Sequence, residues 1–181
     1  VTTTHYVTSI IKSLELAKEK GLNIPIVYNT SSYETKETMD LLKGNIDIYL
    51  PDLKYYDDKY AVNYSNVKDY FKIATSNIKD MYNQVGKNIF DENGMMVKGV
   101  IVRVLLLPNH LEDAKKIIKY LYDTYKDNIY ISIMNQYTPI ECIEKYEDLN
   151  RKVTQEEYDE LINYACDLGI TNAFIQEGET Q

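Results

Sequence analysis

Tryptophan is absent from this sequence, phenylalanine occurs three times, and cysteine and histidine occur twice each. Cys142 and Cys166 are too few for a disulfide scaffold, and their spacing matches no zinc or iron–sulfur motif. Cys166 falls in a helical pattern, where a cysteine acts as a small core hydrophobe. Such cysteine usage fits a reducing, cytoplasmic compartment. No apolar stretch reaches the roughly 20 residues that a membrane helix needs. Residues 1–6 do not form the charged start and apolar run of a signal peptide. Basic side chains are the minority, 20 against 28 acidic, for a formal net charge of -8. Phosphate backbones are held by Lys and Arg, so this balance argues against a nucleic-acid partner. No Ser-His-Asp order, HExxH, P-loop or GxGxxG is present.

What is present is an alternation of helical and strand patterns across 181 residues, enough for one domain with a real core. Ile10, Ile11, Leu14 and Ala17 recur at helical spacing, and Gly21 follows as a left-handed stop. Residues 24–28 read as a buried strand. Residues 31–34, Ser-Ser-Tyr-Glu, read as a capping box that opens a second helix with Met39, Leu41 and Leu42 on its apolar side. Residues 46–50 form the next strand, followed by a polar loop rich in Asp and Tyr and a helix over Tyr70–Val85. Asn93-Gly94 marks a tight turn. Residues 100–107 are apolar except for Arg103, the strongest strand pattern in the chain. A helix over Leu111–Tyr125, a strand over 129–134, an irregular stretch over 136–152, a capping box at 154–157, a helix through Leu161, Ile162 and Ala165, and a strand at 173–175 complete the series.

Strands that are apolar throughout, separated by helices, predict a parallel sheet covered by helices in a single α/β domain over residues 1–181. Residues 1–4 read as the end of one more strand, without a leading loop, as expected of a fragment of a longer barrel. The 18 tyrosines carry no functional reading at this level.

Ligands in parallel α/β folds bind at the carboxyl ends of the strands. The residues there are Thr4 and His5, then Asn29, Thr30 and Ser31, then Asp52 and Lys54, then Asn109 and His110, then Asn135, Gln136 and Tyr137, then Gln176 and Glu177. Arg103 lies inside its strand. A guanidinium there must reach a protein carboxylate, with Asp52 one candidate, or a ligand anion, because burying it unpaired costs several kcal/mol. Asp52 and Lys54 share a face of an extended segment, where they form either a salt-bridged loop or a site for a ligand with hydroxyls and a carboxylate. His5 serves as a capping or hydrogen-bonding residue or as a catalytic one.

Several segments together carry a resemblance: Thr2-Thr3-Thr4-His5-Tyr6, Tyr28-Asn29-Thr30-Ser31, Leu50-Pro51-Asp52-Leu53-Lys54, Gly99-Val100-Ile101-Val102-Arg103, Leu107-Pro108-Asn109-His110, Asn135-Gln136-Tyr137-Thr138-Pro139 and Phe174-Ile175-Gln176-Glu177. In this order the chain resembles radical SAM proteins related to pyruvate formate-lyase activating enzyme, of the PflX-like branch. The resemblance implies a partial (βα)6 barrel lacking its first strand–helix unit and open at its N-terminal edge. It implies a [4Fe–4S] cluster that cleaves S-adenosylmethionine (SAM) reductively to a 5'-deoxyadenosyl radical, which takes hydrogen from a protein or small-molecule substrate. It also implies an electron donor such as flavodoxin or ferredoxin. By motif position it places Thr4, His5, Asn29, Thr30, Asp52, Lys54, Arg103 and Gln136 around SAM, with Asp52 and Lys54 near the ribose and carboxylate and Arg103 on the methionyl carboxylate. The Cys-x3-Cys-x2-Cys loop and the Gly-Gly-Glu motif of the family are absent from these residues.

The expectations are therefore a radical SAM enzyme represented by its C-terminal portion, a barrel lyase with Lys54 as Schiff-base nucleophile, or a non-catalytic binding module. An unpaired strand edge is expected to favour self-association. Clusters need thiolate ligands, so anaerobic reconstitution should leave this chain without the broad visible absorbance of an iron–sulfur cluster. Stoichiometric iron and sulfide on the purified chain would overturn that expectation.

Overall fold

The computed structural model describes residues 4–139 and 145–176. Residues 1–3 of the expected first strand, Cys142 and Glu177 lie outside the described residues. Strands β1 (Val27–Thr30), β2 (Ile48–Pro51), β4 (Met96–Leu105), β5 (Tyr130–Met134) and β6 (Ala173–Ile175) run parallel in the order β1-β2-β4-β5-β6. A short β3 (Ile89–Phe90) pairs antiparallel with the start of β4. Helices α1 (Val7–Glu19), α2 (Lys36–Leu42), α3 (Asp58–Ser65), α4 (Tyr70–Val85), α5 (Leu111–Tyr125) and α6 (Gln155–Asp167) fill the connections. Among the described residues the sheet does not close: β1 pairs only with β2, and β6 only with β5.

Residue alternation along the strands sorts side chains between two environments. On β4, Val100, Val102 and Val104 are fully buried in the core, alongside Ile78 and Met81 of α4 and Ile117, Ile118 and Leu121 of α5. Ile101, Arg103 and Leu105 alternate with them and are only half-buried. This face, away from the apolar core, carries the polar residues of the strand ends.

Several local expectations shift. Thr4 opens a 3-10 turn (Thr4–Tyr6) rather than ending a strand. β1 starts at Val27, not at residue 24. Pro25 has no N–H for a ladder, and the Ile26 N–H bonds the Asp47 carboxylate at 2.8 Å instead. The N-cap of α2 is Thr35, whose side chain accepts from the Thr38 N–H, and not the capping box expected at residues 31–34. Two Ser/Thr caps compete in that stretch, and the one adjoining the apolar period of Met39 and Leu42 prevails. Leu41, expected on the buried side, is 45% exposed. The tract after β2 holds helix α3, not an uninterrupted loop. Asp57 caps α3, Asn66 ends it in the left-handed region (φ 52°), and the Asp113 carboxylate of α5 accepts the Tyr56 and Asp57 N–H groups just before it. That anchor is tertiary, so the local pattern did not reveal it.

Cys166, expected in the core, is exposed, and the strand expected over 100–107 spans Met96–Leu105, whereas other expectations match. α4 and α5 have the expected bounds, Gly21, Gly44 and Gly169 adopt positive φ after their helices, and Thr154 and Glu157 form a reciprocal capping box. Ile118 is fully buried, so Ile118→Ala should lower unfolding free energy by about 2–5 kcal/mol. Leu41→Ala should change it by less than about 0.5 kcal/mol. Urea unfolding followed by circular dichroism measures both.

Candidate functional site at the strand ends

The parallel ladder continues past the named strands to place Asp52 beside Arg103. The Asp52 N–H donates to the Thr30 carbonyl at 2.9 Å, and the Leu53 N–H donates to the Arg103 carbonyl at 3.0 Å. Asp52 is matched to Arg103, and Asn29 to Leu50 two residues before Asp52, so alternation puts Asn29, Asp52 and Arg103 on one face, where they converge. Arg103 Nε donates to Asp52 Oδ1 at 2.7 Å, and its Nη2 reaches the same oxygen at 2.6 Å. Nη2 also donates to Asn29 Oδ1 at 2.7 Å, so the guanidinium spans β2 and binds both neighbouring chain segments. The other oxygen of Asp52 lies 3.2 Å from Lys54 Nζ. Among the described residues, Arg103 Nη1 makes no hydrogen bond. The cluster thus has two cations around one carboxylate, a net positive rim on an acidic chain.

A cavity of about 90 Å³ opens on this rim, walled by Asp52, Lys54, Arg103, Leu105 and Met134. A second cleft, of about 310 Å³, also includes Lys54, with Thr4, His5, Ser31, Tyr33, Tyr55 and Tyr70. The arrangement can hold an anionic head group on the rim, where Arg103 and Lys54 offer charge-assisted donors.

The remaining expected site residues divide. Thr30 is completely buried and donates its hydroxyl to Glu34 at 2.6 Å, so it supports β1 from the core side rather than facing the rim. Thr4 likewise donates to Glu34, at 2.9 Å. His5 is exposed at the cleft. Gln136 is exposed after β5 and, among the described residues, makes no contact with the Arg103 cluster. The carboxyl of Glu34 was not foreseen. Its Oε1 collects hydroxyls of Thr4, Tyr28 and Thr30, while its Oε2 is buried without a partner in the described structure. Asn77 of α4 holds this segment by donating to the Ser32 and Glu34 carbonyls at 2.9 Å each. The signal that could have found Glu34 is Thr35, whose competing cap frees the glutamate to turn inward.

His110 precedes α5 and is buried against the rings of Tyr60 and Tyr64. Its Nε2 lies 2.9 Å from the Tyr64 hydroxyl, which also donates to Asp148. Burial lowers its pKa from the usual histidine value, against the opposing pull of Asp148 and Asp113. The segment after β5 is tied down beside it. Glu157 accepts from both terminal nitrogens of Arg151, at 2.7 and 2.8 Å, and from the Asn109 N–H at 2.9 Å. The Arg151 guanidinium thereby holds the Glu157 carboxyl down at about 2.

The residues present do not fit an iron–sulfur cluster. The sequence has two cysteines, Cys166 is exposed near the end of α6, and among the described residues no three His, Cys, Asp or Glu side chains converge as a metal site. Among the described residues, no helix is long and apolar enough to cross a membrane.

No family model matches the chain. It is 33% identical over 164 residues to the uncharacterised protein MJ0674 of Methanocaldococcus jannaschii, a match that covers 90% of this chain and 43% of that protein. The chain thus spans less than half the length of this relative. Among solved structures, it is similar to a domain of pyruvate-formate lyase-activating enzyme from Bacteroides vulgatus, with a TM-score of 0.66 and 16% identity over 96% of this chain and 93% of that one. The fold is similar to that domain's; among the described residues of this chain it is α/β, with a mainly parallel, unclosed sheet of six strands.

The Glu157 carboxylate carries a pH signature. Its folded pKa is depressed from 4.5 to about 2, so its contribution to stability is complete above the unfolded value and is lost as pH falls through the folded one. The stability difference between the native chain and Glu157→Gln should be constant above about pH 5.5 and should shrink as pH falls towards 2. Urea unfolding at a series of pH values measures it, and a difference unchanged by acid would refute the ion pair.

Proposed function

We propose that this chain is the strand-end binding portion, one barrel domain, of a radical SAM enzyme of the activating-enzyme type, in the PflX-like branch. The observation that carries the reading is the Arg103–Asp52–Lys54 cluster at the carboxyl ends of the strands, in a fold shared with an activating-enzyme domain. A zwitterionic amino-acid head matches that cluster. Its carboxylate would meet the uncommitted edge of Arg103 and the Lys54 ammonium, while Leu105 and Met134 supply an apolar wall for the carbon chain. Arg103, Asp52 and Lys54 would hold SAM, which supplies hydrogen-abstraction chemistry when bound.

The role of the chain's own residues is positional. Asp52 fixes the guanidinium through Nε, so the fork arrives pre-oriented at the rim and little rotamer freedom is lost on binding. Asn29 holds the far end of the fork against β1. Thiolate donors for a cluster would have to come from elsewhere in a longer protein, since the cysteines here do not supply them. That shortage favours a second reading, a binding module that keeps the rim without the chemistry. The Schiff-base reading has less support: Lys54 is paired with Asp52 and 40% exposed, unlike the desolvated amine that such a nucleophile requires.

Arg103→Leu should abolish SAM binding in calorimetry on the longer protein while leaving it folded, and Arg103→Lys should recover little of it, because a point charge does not replace a planar fork. Unchanged SAM affinity in Arg103→Leu would remove the rim from the binding site.

A further inference from the structure

The second cleft has a chemistry of its own. Its walls come from separate parts of the chain: the N-terminal 3-10 turn, the segments after β1 and β2, and the ends of α3 and α4. At about 310 Å³ it is of small-molecule size. Three tyrosines and Val67 form its apolar lining, and each tyrosine hydroxyl is already committed. Tyr33 donates to the Lys68 carbonyl at 3.2 Å, and Tyr55 pairs with the Ser65 hydroxyl at 2.9 Å. The Tyr70 hydroxyl accepts from the Lys54 N–H at 3.0 Å and faces the Ser31 and Asp52 carbonyls at 3.2 Å each.

Those bonds fix the rings at both ends. Tyr33 and Tyr70 lie nearly parallel with centroids 6.2 Å apart, and Tyr55 meets Tyr70 edge-on at 5.5 Å. With their hydroxyls engaged, the rings offer carbon surface rather than hydrogen bonds; Tyr33 supplies most of it, since Tyr55 and Tyr70 are themselves buried, and that surface is ordered in advance. Tyr33 remains 40% exposed despite this anchoring. Among the described residues, the lysine of the wall is Lys54, which has three N–H donors and one carboxylate partner, Asp52.

We propose that this cleft binds a small aromatic carboxylate, its ring against Tyr33, Tyr55 and Tyr70 and its carboxylate on Lys54. The aromatic part follows from walls that present ring faces with satisfied hydroxyls. The carboxylate follows from a lone lysine, sufficient for a monoanion, where a phosphate recruits several donors. The site shares Lys54 with the proposed SAM rim, whereas Tyr33, Tyr55 and Tyr70 line this cleft and not the Arg103 cavity.

The test is a ¹H–¹⁵N NMR titration of the 181-residue chain with benzoate, with cyclohexanecarboxylate and benzyl alcohol as controls. Saturable shifts are expected at the Tyr33, Lys54 and Tyr70 amides, with both controls binding about tenfold more weakly or worse. Ser65→Trp places an indole in the cleft and should abolish the shifts, and Lys54→Met should weaken benzoate about tenfold. Tyr33→Ala should remove benzoate binding and leave SAM binding by the longer protein unchanged, which separates failure of this site from failure of the rim. Equal affinity for cyclohexanecarboxylate overturns the aromatic assignment, and equal affinity for benzyl alcohol overturns the anionic one. Saturable shifts at Arg103 and Met134 instead, or none at all, overturn the site. Should Ser65→Trp fail to fold, the shift map of the unaltered chain decides alone.

Discussion

The bond between Asp52 and Arg103 is the constraint on which the strand-end architecture depends. A guanidinium inside an apolar strand is tolerable only with a carboxylate and further acceptors in reach. The parallel ladder supplies them by bringing Asp52 alongside Arg103, and Asn29 adds an acceptor one strand further. Because Oδ1 of Asp52 accepts from Arg103 and Oδ2 faces Lys54, the carboxylate sets the position of both cations. Loss of Asp52 would leave two positive charges facing each other at a partly buried rim.

Behind this face the core follows ordinary packing rules, and its polar exceptions are structural. Glu34 binds the start of the described chain to β1 by collecting three hydroxyls, and Asn77 locks the same turn to α4. Asp113, whose carboxyl is pushed up by burial, anchors the entrance to α3 through two backbone N–H groups. These contacts hold the segments that wall both cavities. Their cost in desolvation is offset in part by hydrogen bonds from neutral donors, with Glu34 Oε2 left without one in the described structure.

The tyrosine abundance acquires a physical meaning only in three dimensions. Tyr33, Tyr55, Tyr60, Tyr64 and Tyr70 form a run of ring contacts over the strand-end rim, and the hydroxyls of Tyr33, Tyr55, Tyr64 and Tyr70 are bonded to backbone or to neighbouring side chains. Tyrosine suits such a wall because one side chain packs as an apolar plane and fixes itself through a single hydroxyl. The resulting cleft and the charged rim are adjacent but chemically different, and Lys54 belongs to both.

Local chemistry in the sequence determined the succession of elements: helix stops at Gly21 and Gly169, the capping box at Thr154, the bounds of α4 and α5, and a mainly parallel sheet from strands apolar on both faces. It also determined that Arg103 needed a partner, because the cost of an unpaired guanidinium can be read from its neighbours alone. Which partner it takes was decided by strand register, a long-range property that joins residues 51 positions apart. The same holds for the Thr30 hydroxyl, which bonds Glu34 in the core, and for α3, whose start is held by a carboxylate from a distant helix. Periodicity and capping act within a few residues and are legible in order along the chain, whereas the site is assembled from side chains that only the folded sheet brings together.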